Sequence, residues 1–487
     1  MRYILSGLFI IALAGSSCQK KVLDINPQDL LYSDLAFSTP EKIEASTIAS
    51  YDGLQNYQFL AGRALLYIDA MGEDVFDRGQ TTGDISRFSQ LSNNTFAASI
   101  WTAGYDAIAR ANRAIAGITA NSSKLTPTKA NALIAECKFV RAVADFYLVN
   151  YFAQPYAFTA DASHPGIPLI TVSYTSNDPD ANKPRASVGD VYTAIIKDLT
   201  EALADLPLNY PGTTDTAYNN KTRGTKAAAA SFLSRVYLYK GDYANAKKQA
   251  LDVINKTYGA FALNSTVNGA FGPGHYTTAE TIWSIPNNVL DNPSTNYSLP
   301  QNYSAAGRAD VAVSSNFLDS NHYFLTDDKR RSMFTTGTGG YLYTTKYPDV
   351  TTRSDWAPVI RYPEVLLTYA EAQARTSAGV DADAVAKLNI VRDRAKAITT
   401  LSYTTGNFLN KDSLVAAILG ERRIELAFEG HRFWDLMRTK TAVTSKFDSD
   451  GKTKLPTQPF GAQKNIFPIP QLEVDKSKKV LTQNDGY

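Results

Sequence analysis

Cysteine and histidine are both scarce in this chain, with two cysteines and four histidines among 487 residues. Two cysteines cannot build the multi-bridge framework of a small secreted domain. The zinc-binding patterns HExxH and CxxC do not occur, and neither does the phosphate-binding pattern GxxxxGK[ST]. These absences exclude a disulfide scaffold and argue against a zinc enzyme or a P-loop nucleotide hydrolase.

An excess of charge of one sign is also lacking, because 49 lysines and arginines face 47 aspartates and glutamates, for a net charge of +2. Nucleic-acid binding needs a strong basic field, so we expect no nucleic-acid partner. The 44% hydrophobic and 20% charged content is that of a folded globular protein. Aromatic residues are abundant instead, with 28 tyrosines and 22 phenylalanines, and tyrosine combines an apolar face with a polar tip.

The N-terminus has the pattern of a bacterial export signal. Arg2 precedes an apolar run over residues 4–14, which is too short to span a bilayer, and small residues stand directly before Cys18. This arrangement resembles a lipobox, in which the cysteine is acylated and becomes the first residue of the mature chain. We predict a lipoprotein signal peptide over residues 1–17 and lipidation of Cys18. The alternative is a plain signal peptide with a coincidental cysteine.

Helical periodicity dominates the chain after a polar tether over residues 18–40. Cys137 falls in an apolar series with helical spacing, which predicts a buried structural thiol. The better strand signals are residues 282–285 and 359–361. The predicted helices are 41–59, 95–119, 128–152, 188–206, 225–239, 243–256, 362–376, 381–397 and 412–437.

The pattern of residues 228–254 predicts two short amphipathic helices joined by a turn at Gly241, with alanines at four-residue spacing. This resembles a tetratricopeptide unit, which must stack on others to bury its apolar face. Residues 257–360 differ, because they are rich in Gly, Asn, Ser, Thr, Pro and Tyr. The sequence therefore predicts a mainly α fold: a tetratricopeptide-like helical scaffold over 41–256, a loop-rich and partly β excursion over 257–360, and a C-terminal helical region over 361–487.

Several segments, taken in order, resemble the SusD/RagB family of outer-membrane nutrient-binding lipoproteins. They span nearly the whole chain and stand behind the predicted lipobox. They are W-x3-Y-x2-I-x3-N at 101–112, AECKFVRAVADFYLVNYF at 135–152, KPRASVGDVYTAIIKDLTEALADLP at 183–207, RGTKAAAASFLSRVYLYKGDYANAKKQALDVI at 223–254, RYPEVLLTYAEAQAR at 361–375, LNIVRDRA at 388–395, ILGERRIELAFEGHRFWDLMR at 418–438 and FPIP at 467–470.

The resemblance implies a non-enzymatic binding protein, anchored by lipid to the outer membrane and facing the cell surface. Members capture a glycan, or in some cases a peptide, and deliver it to a partner SusC-like TonB-dependent transporter. It also implies a helical scaffold with a loop-rich face that binds the ligand.

A neutral sugar offers an apolar C–H face and a rim of hydroxyls, so its binding site needs flat rings beside short polar side chains. Trp101, Tyr297 and Tyr303 are the predicted rings, with core burial of Trp101 and ordinary loop packing of the tyrosines as alternatives. Asp74 and Arg78 lie in an acidic stretch and are the predicted polar contacts, with helix capping or solvated charge as the alternative.

The charged segment 421–432 repeats glutamate every four residues beside arginines, which favours a structural ion-pair network over an acid–base pair. The cluster 327–331 is predicted to be solvated. No cofactor is predicted, although an acidic loop such as Asp178 to Asp180 suits a structural calcium ion.

Three functions are compatible with these features. The first is oligosaccharide capture without turnover. The second is a glycoside hydrolase that uses Asp69, Glu73 and Asp74, since paired carboxylates are the usual catalytic groups of such enzymes. The third is a scaffold that docks proteins through helical repeats. We expect the first.

Overall fold

The computed structural model describes residues 33–78, 81–174, 178–211, 215–319, 321–397 and 399–487. Within these residues the chain is mainly helical, as predicted. The signal peptide and Cys18 lie outside them, so lipidation stays a prediction. The α-helices are α1 (Ser33–Ala36), α2 (Pro40–Gln55), α3 (Arg63–Met71), α4 (Gly83–Ser86), α5 (Thr95–Ala120), α6 (Pro127–Phe152), α7 (Val188–Asp205), α8 (Thr216–Thr222), α9 (Lys226–Lys240), α10 (Tyr243–Ile254), α11 (Ser294–Tyr297), α12 (Leu299–Tyr303), α13 (Ser315–Asp319), α14 (Tyr362–Thr376), α15 (Ala382–Ala395), α16 (Lys411–Glu425), α17 (Arg432–Arg438) and α18 (Gln471–Lys476).

The long helices begin where side-chain caps stand in the sequence. The Thr39 side chain accepts a hydrogen bond from the backbone amide of Lys42. The Asn94 side chain accepts hydrogen bonds from the backbone amides of Phe96 and Ala97, in the first turn of α5. Proline follows the cap of both α2 and α6, where a missing N–H costs nothing. The predicted boundaries of these helices are confirmed to within a few residues.

Helix pairs stack along the chain in the manner expected of tetratricopeptide-like repeats. In this stack α2 packs on α5, α5 on α6, α6 on α7, α7 on α9, α9 on α10, and α10 on α14, which also contacts α15 and α16. The main core runs through α2 to α9 and includes Cys137 and Trp283, which are fully buried, while α14, α15 and α16 enclose a second core cluster. Burial raises the pKa of the Cys137 thiol to about 12, so it remains a neutral apolar group. None of the helices within the described ranges is long and apolar enough to cross a membrane.

Six short strands form three antiparallel pairs in the part of the chain that the structure covers. The strands are β1 (Val75–Asp77), β2 (Thr281–Ile285), β3 (Val311–Val313), β4 (Phe334–Thr336), β5 (Leu342–Thr344) and β6 (Ala357–Arg361). The two predicted strands pair with each other as β2 and β6, which confirms both. The pair of β1 and β3 joins the acidic stretch after α3 to the excursion.

The predicted single helix over residues 412–437 is wrong, because α16 ends at Glu425 and α17 begins only at Arg432. Phe428 and Gly430 have φ values of 65° and 76°, which no α-helix accommodates. A side chain at Gly430 would also meet the backbone of Leu65 at 3.1 Å, so glycine permits α3 to approach here. The break directs α17 onto α3.

Glu421, Glu425 and Glu429 are buried and ion-paired, which confirms the predicted structural network. The expected partners are wrong, however, because the cations come from other elements rather than from neighbouring turns. Glu425, for example, lies 2.5 Å from Arg394 and 3.2 Å from Arg361. The cluster 327–331 is not wholly solvated either, since Arg330 is buried against Asp328 and Glu421, 2.7 and 2.5 Å away.

Candidate functional site: a tyrosine pair over an arginine

Two tyrosine rings from distant segments meet at the surface of the protein. The ring centroids of Tyr57 and Tyr297 are 4.5 Å apart at an interplanar angle of 36°. Tyr57 is 45% exposed and Tyr297 is half-buried. The guanidinium of Arg63 lies between aromatic faces, 4.2 Å from the Tyr297 centroid and 4.8 Å from that of Phe96. Cation–π contact on both sides fixes the arginine and the tyrosine ring that it supports. We call Tyr57, Arg63 and Tyr297 the ring platform.

The chain reaches this arrangement through one close backbone contact. Helix α2 ends at Gln55, and a tight turn leads from Asn56 to Gly62, the residue before α3. A Cβ atom placed on Gly62 would lie 2.1 Å from the carbonyl oxygen of Tyr297, which closes α11. Only glycine allows the Tyr297 segment to lie against the start of α3.

Amide side chains surround the ring platform. Gln58 accepts a hydrogen bond from Arg63 Nη1 at 3.3 Å, and Gln55 Nε2 donates to Asp291 at 2.9 Å. Asn296, next to Tyr297, accepts a hydrogen bond from Arg308. These groups are the short polar donors and acceptors that sugar hydroxyls require beside a stacked ring.

Arg78 lies at the end of β1, near the same loops. Its amide donates to Asp310 O at 2.9 Å, and its guanidinium is 5.8 Å from the Tyr341 ring centroid. Asp310 in turn pairs with Arg308, the residue that bonds Asn296 beside Tyr297. The β1–β3 pairing therefore places Arg78 and Tyr297 in one connected set of contacts, with Arg78 half-buried.

Asp74 does not face solvent, because its carboxylate is buried and accepts a 2.6 Å hydrogen bond from Arg423 Nε. Burial raises the pKa of Asp74, and the charge of Arg423 opposes that shift. Its neighbour Glu73 is buried as well and lies 2.7 Å from Arg432. Desolvation raises the pKa of Glu73 and the nearby arginines lower it, with a net lowering. A ligand cannot reach the Asp74 carboxylate in this arrangement.

Tyr303 does not belong to an open loop. It ends α12, is 1% exposed, and donates its hydroxyl to Asp69 at 2.6 Å. Its ring stacks on Tyr347 at 5.6 Å. Desolvation raises the pKa of Asp69 to about 7, against the opposing hydrogen bonds from Tyr303 and the Gly430 amide. Any contact between Tyr303 and a ligand requires the ring to leave this buried position.

Trp101 lies beside a separate cleft of about 540 Å³, which we call the Trp101 cleft. The indole is only 5% exposed, since it packs against Tyr105 and Phe152 with ring centroids 4.7 and 4.9 Å away. The cleft therefore meets little of the ring. Its other lining residues are Thr102, Pro168, Ile170, Asp178, Ala181, Asn182, Lys183, Glu473, Lys476, Ser477 and Leu481.

The predicted calcium loop borders this cleft. The Asp178 carboxylate accepts a hydrogen bond from the backbone amide of Asp180 at 2.9 Å, which is a local turn contact. Across the described ranges no group of three or more Asp, Glu, His or Cys residues is arranged to hold a metal ion. Residues 175–177 lie outside those ranges, so calcium at Asp178 to Asp180 stays a prediction.

The structure thus links Arg78 to the neighbour of Tyr297 through Asp310 and Arg308. It places Trp101 at another cleft and buries Asp74 and Tyr303. Sequence reasoning missed Tyr57 and Arg63, because the predicted helix 41–59 extended over the turn that presents Tyr57. Gly62 was the available signal, because a glycine directly before an apolar segment marks a turn or a close approach of two backbone segments.

Two family models match the chain in succession. Residues 22–238 match the model described as "Starch-binding associating with outer membrane", and residues 279–487 match the model of the SusD family. The chain is 28% identical to SusD-like protein P2 of Formosa agariphila, over 96% of each protein. It is 22% identical to SusD-like protein P38 of the same organism, over 92% of this chain and 93% of that protein.

Solved structures give the same result for the fold. A SusD superfamily protein from Bacteroides fragilis superposes with a TM-score of 0.79 at 26% identity, over 91% of this chain and 99% of the other. One from Bacteroides thetaiotaomicron VPI-5482 also gives 0.79, at 22% identity, over 92% and 99%. The two family models together cover the chain from residue 22 to its end except for residues 239–278, and the relatives align over nearly their whole length. The chain therefore belongs to the SusD/RagB family.

Proposed function

We propose that this chain is a non-catalytic binding protein that captures an oligosaccharide, derived from a polysaccharide, at the cell surface. It delivers the glycan to a partner SusC-like TonB-dependent outer-membrane transporter. The observation that carries this proposal is the ring platform, in which Tyr57 and Tyr297 lie together at the surface and the half-buried Arg63 guanidinium packs on Tyr297. The family description of residues 22–238 supports a starch-like ligand.

The platform suits a neutral sugar for a physical reason. A pyranose ring stacks its C–H face on a flat ring and leaves its hydroxyls at the edge, where Gln55, Gln58 and Asn296 supply amide groups. The centroids lie only 4.5 Å apart, so Tyr297 packs against Tyr57 and helps to hold its exposed ring in place. Because Arg63 is already sandwiched, the rings are held in place before a ligand binds, which lowers the entropic cost of binding.

Catalysis is not part of this proposal. The carboxyl groups of a hydrolase must reach the glycosidic bond, whereas Asp69, Glu73 and Asp74 are all buried and bonded to protein groups. Incubation of the protein with a bound oligosaccharide should release no new reducing ends. A rise in reducing ends above a heat-denatured control would assign a hydrolase instead.

Attachment to the outer membrane follows from the predicted acylation of Cys18, with the mature chain tethered through residues 18–40. Metabolic labelling with an alkyne-tagged fatty acid should modify the wild type and not a Cys18→Ala variant. Protease added to intact cells should degrade the labelled protein if it faces outward, and affinity purification from the native host should recover a barrel transporter.

The binding function is tested by calorimetric titration of the mature chain with a panel of neutral oligosaccharides and, in parallel, of peptides. We expect at least one neutral glycan to bind at micromolar to millimolar Kd. Peptide binding without glycan binding would assign the chain to the peptide-binding members of the family. Stable capture of a transporter with no small ligand at all would favour the scaffold function.

A further inference from the structure

Three further aromatic rings, from separate segments of the chain, meet at the surface beside the β2–β6 pair. Trp356 stands directly before β6 and Tyr276 shortly before β2, while Tyr218 lies in α8, which packs on β2. The centroids of Tyr276 and Trp356 are 5.0 Å apart at an interplanar angle of 12°. Tyr218 meets Trp356 at 5.3 Å and 86°. We call these three residues the aromatic corner, because Tyr218 and Trp356 are nearly perpendicular.

The aromatic corner is open to solvent. Tyr218 is 40% exposed, and both Trp356 and Tyr276 are half-buried. The indole N–H of Trp356 has no hydrogen-bond partner within the described ranges, yet it is not one of the unpaired groups that are shielded from solvent. A ligand at the surface can therefore contact the rings and accept a hydrogen bond from the indole.

Hydrogen bonds hold the corner in place from behind. The Tyr276 hydroxyl donates to Asp355 Oδ1 at 2.6 Å, and Asp355 Oδ2 accepts the backbone amide of Asp349 at 2.7 Å. Asn287 Nδ2 donates to the carbonyl oxygen of Asp355 at 2.8 Å, which fixes the backbone next to Trp356. The ring stack is thus ordered before any ligand arrives, which lowers the entropic cost of binding.

The segment 287–297 connects the aromatic corner to the ring platform. Its first residue bonds the carbonyl of Asp355, and its last residue belongs to the platform. Midway, Asp291 accepts a hydrogen bond from Gln55 at 2.9 Å, two residues before the platform tyrosine of that turn. Burial raises the pKa of Tyr218 and the negative charge of Asp291 raises it further, so Asp291 is close to the corner as well. The two sets of rings therefore flank one surface segment.

The chemistry of the corner suits a neutral sugar. A pyranose has an apolar C–H face that stacks on an aromatic ring and hydroxyls that accept from an N–H such as the free indole donor. The carboxylates of Asp215 and Asp291 both act on Tyr218, so an acidic sugar would meet negative charge here.

We propose that the aromatic corner is a second binding surface for a neutral sugar unit, and that it holds a part of the oligosaccharide beyond the unit on the ring platform. This inference rests on the proposed function, since it takes the ligand to be a neutral glycan. Once one part of a chain is bound, a second contact is intramolecular and raises the overall affinity. The protein should therefore prefer long oligosaccharides to short ones.

The test compares short and long members of three neutral series on the mature full-length chain. The pairs are maltotriose and maltoheptaose, laminaritriose and laminariheptaose, and cellotriose and cellohexaose. In calorimetric titration the long member of the series that binds should be held about tenfold more tightly than the short one. Tyr218→Ala and Trp356→Ala should each weaken the long member about fivefold or more and leave the short member within about twofold.

Phe158→Ala is the matched control, because its ring is 43% exposed, close to the 40% of Tyr218, and lies outside the corner. It should leave both affinities unchanged. Thermal unfolding of each variant confirms that it is folded, and Tyr218→Ala remains informative if Trp356→Ala is not.

Tryptophan fluorescence reports contact at the corner directly. All four tryptophans lie in the described ranges, and only Trp356 is half-buried, whereas the others are at most 5% exposed: Trp101, Trp283 and Trp434. Quenching by acrylamide should therefore come mainly from Trp356 and should fall when the long oligosaccharide is bound. The same protection should occur in Tyr57→Ala at saturating glycan, because that variant alters only the platform.

Binding of the long member that both corner variants leave unchanged, or unprotected tryptophan in the complex, would overturn the corner while the proposed function stands. Loss of affinity in Tyr218→Ala without any loss in Tyr57→Ala would support the corner and remove the platform. No binding of any of the six oligosaccharides to the wild type would overturn both.

Discussion

The hydroxyl of Tyr303 donates to Asp69 at 2.6 Å, which bonds the excursion to the end of α3 in the core. Tyr303→Phe removes this donor and leaves the buried carboxyl with only the Gly430 amide. We expect the free energy of unfolding to fall by about 1–3 kcal/mol in urea titrations. Glycan affinity should not change, because the ring faces the interior.

Tyr57→Phe is the matched control for this change, since its hydroxyl lies on an exposed side chain. It should alter the free energy of unfolding by less than about 0.5 kcal/mol. Unchanged stability of Tyr303→Phe together with weakened glycan binding would contradict the buried position and show that Tyr303 contacts the ligand.

Asp145 makes stability depend on pH. Its side chain is buried in α6 with Oδ1 unpaired among the described residues, and burial raises its pKa to about 8. The folded state therefore holds the proton more tightly than the unfolded chain does. Stability from this group is full below roughly pH 4 and is lost as the pH rises toward about 8.

An Asp145→Asn variant stays neutral at every pH and tests this dependence. We expect its free energy of unfolding to exceed that of the wild type by about 5 kcal/mol at pH 8, because the pKa rises from about 4 in the unfolded chain to about 8 in the folded protein. At pH 4 the two proteins should be nearly equal. Parallel stability curves across that range would mean that Asp145 ionises normally and has a partner or solvent contact.

Gly62 controls the position of Tyr297. Gly62→Ala would place a methyl group 2.1 Å from the Tyr297 carbonyl oxygen, so the two segments must separate. We expect a loss of about 1–3 kcal/mol in the free energy of unfolding and weaker glycan binding, because the rings move apart. Gly379→Ala, where nothing lies within 4 Å of the added carbon, is the control and should change neither property.

Glu425 is the centre of the buried ion network, with Arg330, Arg361 and Arg394 at 3.1, 3.2 and 2.5 Å. These arginines hold the pKa of Glu425 far below its usual range despite its burial. Glu425→Gln leaves buried cations without compensation and should cost roughly 3–5 kcal/mol of unfolding free energy.

The exposed pair of Lys248 and Asp252, 3.0 Å apart, is the natural comparison. Asp252→Asn should change the free energy of unfolding by less than about 0.5 kcal/mol, as is usual for surface pairs. Equal effects of the two substitutions would show that the Glu425 network is hydrated and contributes little.

The helical scaffold could be predicted because its signals are local. The caps Thr39 and Asn94 stand where α2 and α5 begin, and the 3.6-residue spacing of apolar side chains follows each helix from there. The end of α2 was predicted four residues too late. Helix α3 was missed because it has only nine residues, which is too short a stretch for helical periodicity to be recognised. The break after Glu425 was hidden because the apolar spacing continues through Phe428.

The site was less predictable because its contacts are not local. A loop rich in tyrosine predicted that Tyr297 matters, but no sequence pattern joins it to Tyr57 and Arg63. Non-local contacts also explain why the ion network was only partly predicted. The sequence of α16 indicated the glutamates, but their arginine partners come from loops and from α15. Burial of Asp74 and Tyr303 depends on partners hundreds of residues away, Arg423 and Asp69.

We propose that a glycan stacks on the surface formed by Tyr57 and Tyr297. The most direct measurement is calorimetric titration of the best neutral oligosaccharide into wild type, Tyr57→Ala, Tyr297→Ala and the control Phe158→Ala, whose ring is 43% exposed elsewhere. We predict that each platform variant raises the Kd roughly tenfold or more and that Phe158→Ala leaves it unchanged. Wild-type affinity in both folded platform variants would contradict the account.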